Sequence, residues 1–177
     1  MIIIIIIKGK KIRTRPIERD KGKGPMNAVI KELEDPARFY YKDLWLRETN
    51  TNIARLLELF SFGEMKDVGS IALTPLMREK LQKLTIISLS EKYRELPYDL
   101  IESQAQLDEL LVEPYLMQLR HFFQAKLDPV RRVAVILHWH DCRDVYNGEK
   151  PLQLVNPTVT ALTLRSSLVE WQSLLNK

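Results

Sequence analysis

A single cysteine, Cys142, occurs in 177 residues. It leaves no partner for an internal disulfide and no set of thiolates for a zinc finger or ribbon, and it fits a reducing compartment, cytosol or nucleus. Glycine is also sparse, with six residues against nine prolines. The chain therefore lacks the signature of a low-complexity segment. No G-x-x-x-x-G-K-[ST] phosphate loop, G-x-G-x-x-G turn, H-E-x-x-H helix or G-x-S-x-G elbow occurs, and the chemistry each one positions is not encoded in those forms. The isoleucine run of residues 2–7 falls far short of the roughly 20 apolar residues of a membrane-spanning helix. Its cations follow it rather than precede it, the reverse of a secretory signal. No membrane association is expected.

Apolar residues at 45% and charged residues at 28% are ordinary for a folded domain, and this length supports one sizeable core. The formal net charge of +4 resembles a nucleic-acid footprint until it is divided along the chain. Residues 1–25 hold eight Lys and Arg against Glu18 and Asp20, which leaves 19 basic and 21 acidic groups in the other 152 residues. The whole excess belongs to the head, and the folded part is net acidic. The head reads as a non-native extension, a disordered basic tail or a functional arm, with Met26 as the start of the domain.

From Met26 the pattern is helical. "MNAVIKELED" ends before Pro36, and "ARFYYKDLWL" places Phe39, Tyr40, Leu44 and Leu46 near one face. "TNIARLLELFSF" carries a stripe of Ile53, Leu56, Leu57 and Phe60, with Thr51 or Asn52 as N-cap and Gly63 as the stop. Thr74-Pro75 opens a helix whose buried stripe includes Leu81 and Leu84 and runs to Leu89. Pro97 opens a short helix with Tyr98 and Ile101 inward. A third helix then starts near Glu113, because Pro114 is tolerated only in a first turn or at a kink, and runs through "AKLD". "RRVAVILHWH" and "PLQLV" alternate as strands, joined through the Asn147-Gly148 turn signal. Three helices followed by a hairpin is a winged-helix order. Asn156-Pro157 caps a last helix with Leu164, Leu168, Trp171 and Leu175 along one stripe.

Two chemical readings can be weighed. On a strand, His138, His140 and Cys142 would project to one face and offer zinc ligands, but no carboxylate completes that face, and histidines on an exposed strand are the plainer reading. In metalloisopeptidases a His-x-His pair is followed by a Ser and then an Asp three residues on; here those positions hold Gly148 and Pro151. No metal or cofactor is expected. As a winged helix that reads nucleic acid, the chain would offer Arg120 and Lys126 from its third helix, with His121, and Arg131 and Arg132 before the wing. Four firm cations are few against the roughly six to ten phosphate contacts of salt-sensitive DNA binding.

The blocks "LTPLMREKLQKLTIISLSEKYRELPYDLI", "AKLD" and the closing "LVEW" resemble the PCI domain shared by the proteasome lid, the COP9 signalosome and a translation initiation factor complex. "LLELFSFGEMKDV", "ELEDPARFYYKDLWL" and "DCRDVY" make the chain similar to the COP9 signalosome branch over residues 31–177. The resemblance implies a mainly α chain: a short N-terminal helical region over residues 26–73, a PCI-like winged-helix subdomain over 74–156, and a C-terminal helix over 157–177. It implies a non-catalytic scaffold, present in cytoplasm and nucleus, in a complex that removes the ubiquitin-like Nedd8 from the cullins of SCF-type ligases. The metalloisopeptidase that performs that cleavage is a different subunit. Expected partners are other PCI-domain subunits and, through the complex, that metalloisopeptidase and the cullin ligases. Leu81, Leu84 and Tyr98 would build the winged-helix core. Val133 and Val135 would support a strand-edge contact, and Leu164, Leu168, Trp171 and Leu175 would form a helix-packing seam or else be buried within the same domain.

Overall fold

A computed structural model describes residues 24–157 and 160–175. Residues 1–23 of the charged and isoleucine-rich head lie outside the described residues. The first helix, α1 (Pro25–Glu34), begins with its proline in the first turn, where the missing N–H costs no intrahelical bond. Residues 37–41 do not continue as a helix, because Tyr41 and Lys42 donate their amides to Asp144 Oδ2 at 2.7 and 3.0 Å. Only α2 (Lys42–Arg47) is helical. The expected face over "ARFYYKDLWL" is corrected accordingly: Phe39, Tyr41 and Trp45 are buried, while Tyr40 and Leu46 are exposed. A non-helical stretch followed by the six-residue α2 presents different positions to the core from one continuous helix.

Helix α3 (Thr51–Phe62) is capped one residue earlier than expected, by Asn50, whose side-chain oxygen accepts from the amides of Asn52 and Ile53. Gly63 ends it by close approach: a Cβ there would lie 2.7 Å from the Leu59 carbonyl oxygen. A 3-10 turn (Met65–Asp67) leads toward α4 (Pro75–Lys92), capped by Thr74 with Pro75 at its start. Leu81 and Leu84 are fully buried on α4.

The next elements depart most from the sequence expectation. A three-residue strand, β1 (Glu95–Pro97), precedes α5 (Tyr98–Ala105). Helix α6 spans Glu109–Gln118, starts at the Asp108 cap, and holds Pro114 in its interior rather than its first turn. The N–H that proline lacks would have bonded the Leu110 carbonyl. Both residues lie on the exposed side, where a lost helical bond costs least. "FQAKLD" is β2 (Phe123–Asp128), not the end of a helix. It forms the hairpin with β3 (Val133–Trp139), so the turn lies at residues 129–132 and not at Asn147-Gly148. "PLQLV" is no strand, because the amides of Gln153, Leu154 and Val155 all donate to the buried Glu58 carboxylate. The sheet is antiparallel with order β1-β3-β2.

Helix α7 (Ala161–Leu175) starts four residues beyond Pro157, so the expected Asn156-Pro157 cap is replaced by Thr160, whose hydroxyl accepts from the Thr163 amide at 3.2 Å. The core is one cluster running from Leu33 and Trp45 through α3 and α4 to Leu96, Ile101, Leu116 and Ile136. Burial of this apolar area is the main stabilising term.

Candidate protein-interface surfaces

Three of the residues picked from sequence are structural. Leu81, Leu84 and Tyr98 are buried, and the Tyr98 hydroxyl donates to Glu113 Oε1 at 2.9 Å, joining α5 to α6. Burial, then the Glu113 carboxylate, pushes the Tyr98 hydroxyl up to about 12.

Val133 and Val135 do not stand on a free edge. Val135 lies between Glu95 and Lys126, and Val133 between Pro97 and Asp128, because β3 is the central strand. Strand β1, too short to show a period, has Leu96 as its middle residue and covers that side; the Arg94 carbonyl also accepts from Ile136 N at 2.8 Å. Both valines are half-buried on the face opposite Ala134 and Ile136. Among the described residues, unpaired main-chain groups lie instead along the outer edge of β2 and along the side of Leu137–Trp139 that β1 does not reach. Such an edge accepts a strand from another chain.

Helix α7 has no buried residue. Leu164, Leu168, Trp171 and Leu175 are all exposed, Trp171 by 67% of its surface, and Leu162, Val169 and Leu174 are exposed beside them. The helix is tied to the body at its start, where the Ala161 amide donates to the Tyr146 carbonyl and Tyr146 bridges Thr160. Burial of this stripe within the same domain is thus not what the fold provides. A contiguous apolar helix face in water is the mark of an interface.

His138 lies on β3, His140 just beyond it, and Cys142 in the following loop, so the three do not share one strand face. Among the described residues no cluster of three or more His, Cys, Asp or Glu has metal-binding geometry. Desolvation, then Glu91, Asp141 and Asp144, pushes the Cys142 thiol up, away from the thiolate. Arg120 and His121 sit in the turn after α6, and Lys126 on β2. The expected recognition-helix set of cations is therefore not on one helix. Arg131 pairs with Glu95 at 3.8 Å, and Arg132 pairs with Asp99, Glu102 and Glu109.

The residues that organise these surfaces were missed by sequence reasoning. Arg143, only 6% exposed, reaches between α3 and α4. Its Nη1 donates to Gly63 O, Leu84 O and Ser88 Oγ at 2.9, 3.3 and 2.7 Å; Nη2 donates to Phe60 O and Ser61 O at 3.0 and 3.3 Å. The α3 carbonyls in that set belong to the last turn, which has no intrahelical donors. Burial pulls the guanidinium down, while Glu91 and Glu64 support its charge. Lys80 is buried and donates to the carbonyls of Asp35, Pro36 and Arg38 at 2.8–3.0 Å, and burial brings it down to about 8. Beside Arg143 lies a cleft of about 50 Å³, well below the roughly 300–1,000 Å³ of small-molecule sites.

No protein-family model matches the sequence. A curated relative, COP9 signalosome complex subunit 9 of Saccharomyces cerevisiae, is 42% identical over 152 residues, covering 84% of this chain and 94% of that protein. The chain belongs to the COP9 signalosome subunit 9 family. A second subunit 9, from Kluyveromyces lactis, is 29% identical over 85% of this chain and 98% of its own length. COP9 signalosome complex subunit 7 of Drosophila melanogaster is 41% identical over 102 residues, half of this chain and 37% of that protein. In this subunit 9 family member the outlying elements are thus an unpaired strand edge and a bare helix, both held on a body locked by Arg143, Lys80 and Glu58.

Proposed function

We propose that this chain is a non-catalytic scaffold subunit of a COP9 signalosome that removes Nedd8 from cullins of SCF-type ubiquitin ligases. The observation that carries the reading is α7, a fifteen-residue helix without one buried residue, on a chain whose relatives are named as signalosome subunits. An isolated helix of that length is marginal in water unless its apolar face is packed, so its partner is another protein. We read the segment 74–156 as a PCI-like winged helix, supported by the succession α4, β1, α5, α6, β2, β3, preceded by the helical part 26–73 and followed by the C-terminal helix.

In this reading, other PCI-domain subunits complete the β2 edge with main-chain bonds and cover the α7 stripe. Bond cleavage belongs to a metalloisopeptidase elsewhere in the complex. The working compartments are cytoplasm and nucleus. The test is affinity purification of the tagged chain from cells. Signalosome subunits are expected in stoichiometric yield, and Nedd8-bound cullin is expected to accumulate when the chain is deleted. Normal cullin processing in the deletion strain, with no subunit recovered, overturns the reading.

A further inference from the structure

We infer that the outer face of α6 is a separate docking surface for a basic amphipathic helix of another protein. Leu110, 83% exposed, Pro114 and Met117, 66% exposed, follow one another at spacings of four and three along that face, with Leu111 half-exposed beside them. This spacing forms the ridge that another helix packs against. It is not the stripe that faces the core, which is Val112, Tyr115 and Leu116.

Charge selects the occupant. Between Glu95 and Gln118 the chain carries six carboxylates and no Lys, Arg or His. Arg131 pairs with Glu95 at 3.8 Å, and Lys83 lies over the Tyr115 ring, on the residue that α6 turns to the core; Asp99, Glu102 and Glu109 share the single Arg132 guanidinium, which leaves two of those three charges uncompensated. Asp108, whose side chain caps α6, and Glu113, which accepts from Tyr98, add to the acidic rim. An apolar ridge rimmed by carboxylates rejects nucleic acid and acidic peptides and attracts a helix with Leu, Ile or Met on one stripe and Lys or Arg beside it. The Arg132–Glu109 pair also ties the tip of the β2–β3 hairpin, where Val130 is 94% exposed, to the start of α6. The face shares no residue with the β2 edge or with α7, so it stands or falls independently of the scaffold reading.

The probe is a fluorescein-labelled synthetic helix about five turns long, with leucines at the i, i+3, i+4, i+7 positions and lysines flanking them. It is titrated by fluorescence anisotropy against the full chain at low and high salt. Binding is expected to weaken with salt and to fall at least tenfold in Leu110→Ser/Met117→Ser. It is expected to fall severalfold, with a shallower salt dependence, in Asp99→Asn/Glu113→Gln, and to change less than twofold in Leu168→Ser/Trp171→Ser on α7. All these substitutions except Glu113→Gln replace exposed side chains, and circular dichroism checks each fold. Absence of binding to the unaltered chain overturns the inference. So does equal binding of the same peptide with glutamates in place of lysines, or equal loss in the α7 variant. A dimer of the chain, or duplex DNA binding, that disappears with Leu110→Ser/Met117→Ser assigns the face to a second copy or to nucleic acid and likewise overturns it.

Discussion

Replacing Arg143 by methionine tests the internal frame on which the exposed elements are mounted. The substitution keeps much of the side-chain volume and removes five donor contacts to oxygens of Phe60, Ser61, Gly63, Leu84 and Ser88. Three of those acceptors end α3, and two lie on α4, so the variant uncaps one helix and unlinks it from the other. Hydrogen bonds from a charged donor are worth about 1.5–3 kcal/mol each. Two of the five are at 3.3 Å and weak, and the cost of holding a guanidinium in the interior is recovered on its removal. A net loss of about 3–5 kcal/mol follows. For a chain of this size each kcal/mol lowers the melting temperature by about 2–4 °C, which gives a fall of roughly 6–20 °C by circular dichroism. Arg143→Lys, with three donors on one nitrogen, should lie between. A local signature separates this account from general loosening: Arg143 precedes Asp144, which caps α2, so the Tyr41 and Lys42 amides should exchange with solvent faster than those of α5. A variant within about 1 kcal/mol of the unaltered chain, or one with those two amides unchanged, would show that Arg143 does not hold the frame.

Glu58→Gln keeps the shape but turns a carboxylate that accepts from three amides into a group with one acceptor oxygen. A loss of about 2–4 kcal/mol in urea unfolding is expected, with faster amide exchange at Gln153, Leu154 and Val155; no change at those amides contradicts the role. For Glu64, burial acts upward, but Lys92 at 2.6 Å and Lys66 at 3.0 Å hold its carboxyl below the usual range. Its folded-state pKa is depressed, so its stabilisation is fully present above about pH 4.3 and is lost as pH falls below that value. Glu64→Gln should therefore flatten the acid limb of stability against pH, and an unchanged limb rules the ion pairs out as its cause.

Much of the fold was legible because local signals agreed with the tertiary structure. Thr74-Pro75 starts α4, and the Leu81–Leu84 stripe faces the core. The failures have specific causes. Along β2, Phe123, Ala125 and Leu127 alternate inward against Gln124 and Lys126, yet Gln-Ala-Lys-Leu are strong helix formers, and pairing with β3 overrode that preference. In "PLQLV" the alternation is real, but Glu58, 95 residues away, supplies the acceptors a neighbouring strand would have supplied. β1 is three residues long and contains a proline, too short to show a period. Nothing in the sequence marks Arg143 and Lys80 as buried, because their acceptors are mostly main-chain carbonyls, to which sequence composition is blind. Of the candidate interface residues, Leu164, Leu168, Trp171 and Leu175 lie on one exposed helix, as their helical spacing predicts. The valines of β3 were placed on an edge because the third strand was not foreseen.

The proposed scaffold role requires neighbouring subunits to cover the apolar face of α7. Its most direct test is recovery of signalosome subunits on the tagged Leu168→Asp/Trp171→Asp chain, with the melting temperature of the purified variant measured in parallel. The expected result is a melt within about 4 °C of the unaltered chain, since both side chains are solvent-exposed, each surface change falls within about 0.5 kcal/mol and each kcal/mol moves the melt by about 2–4 °C, together with loss of most of the co-purifying subunits. Full recovery of those subunits on the variant would contradict it.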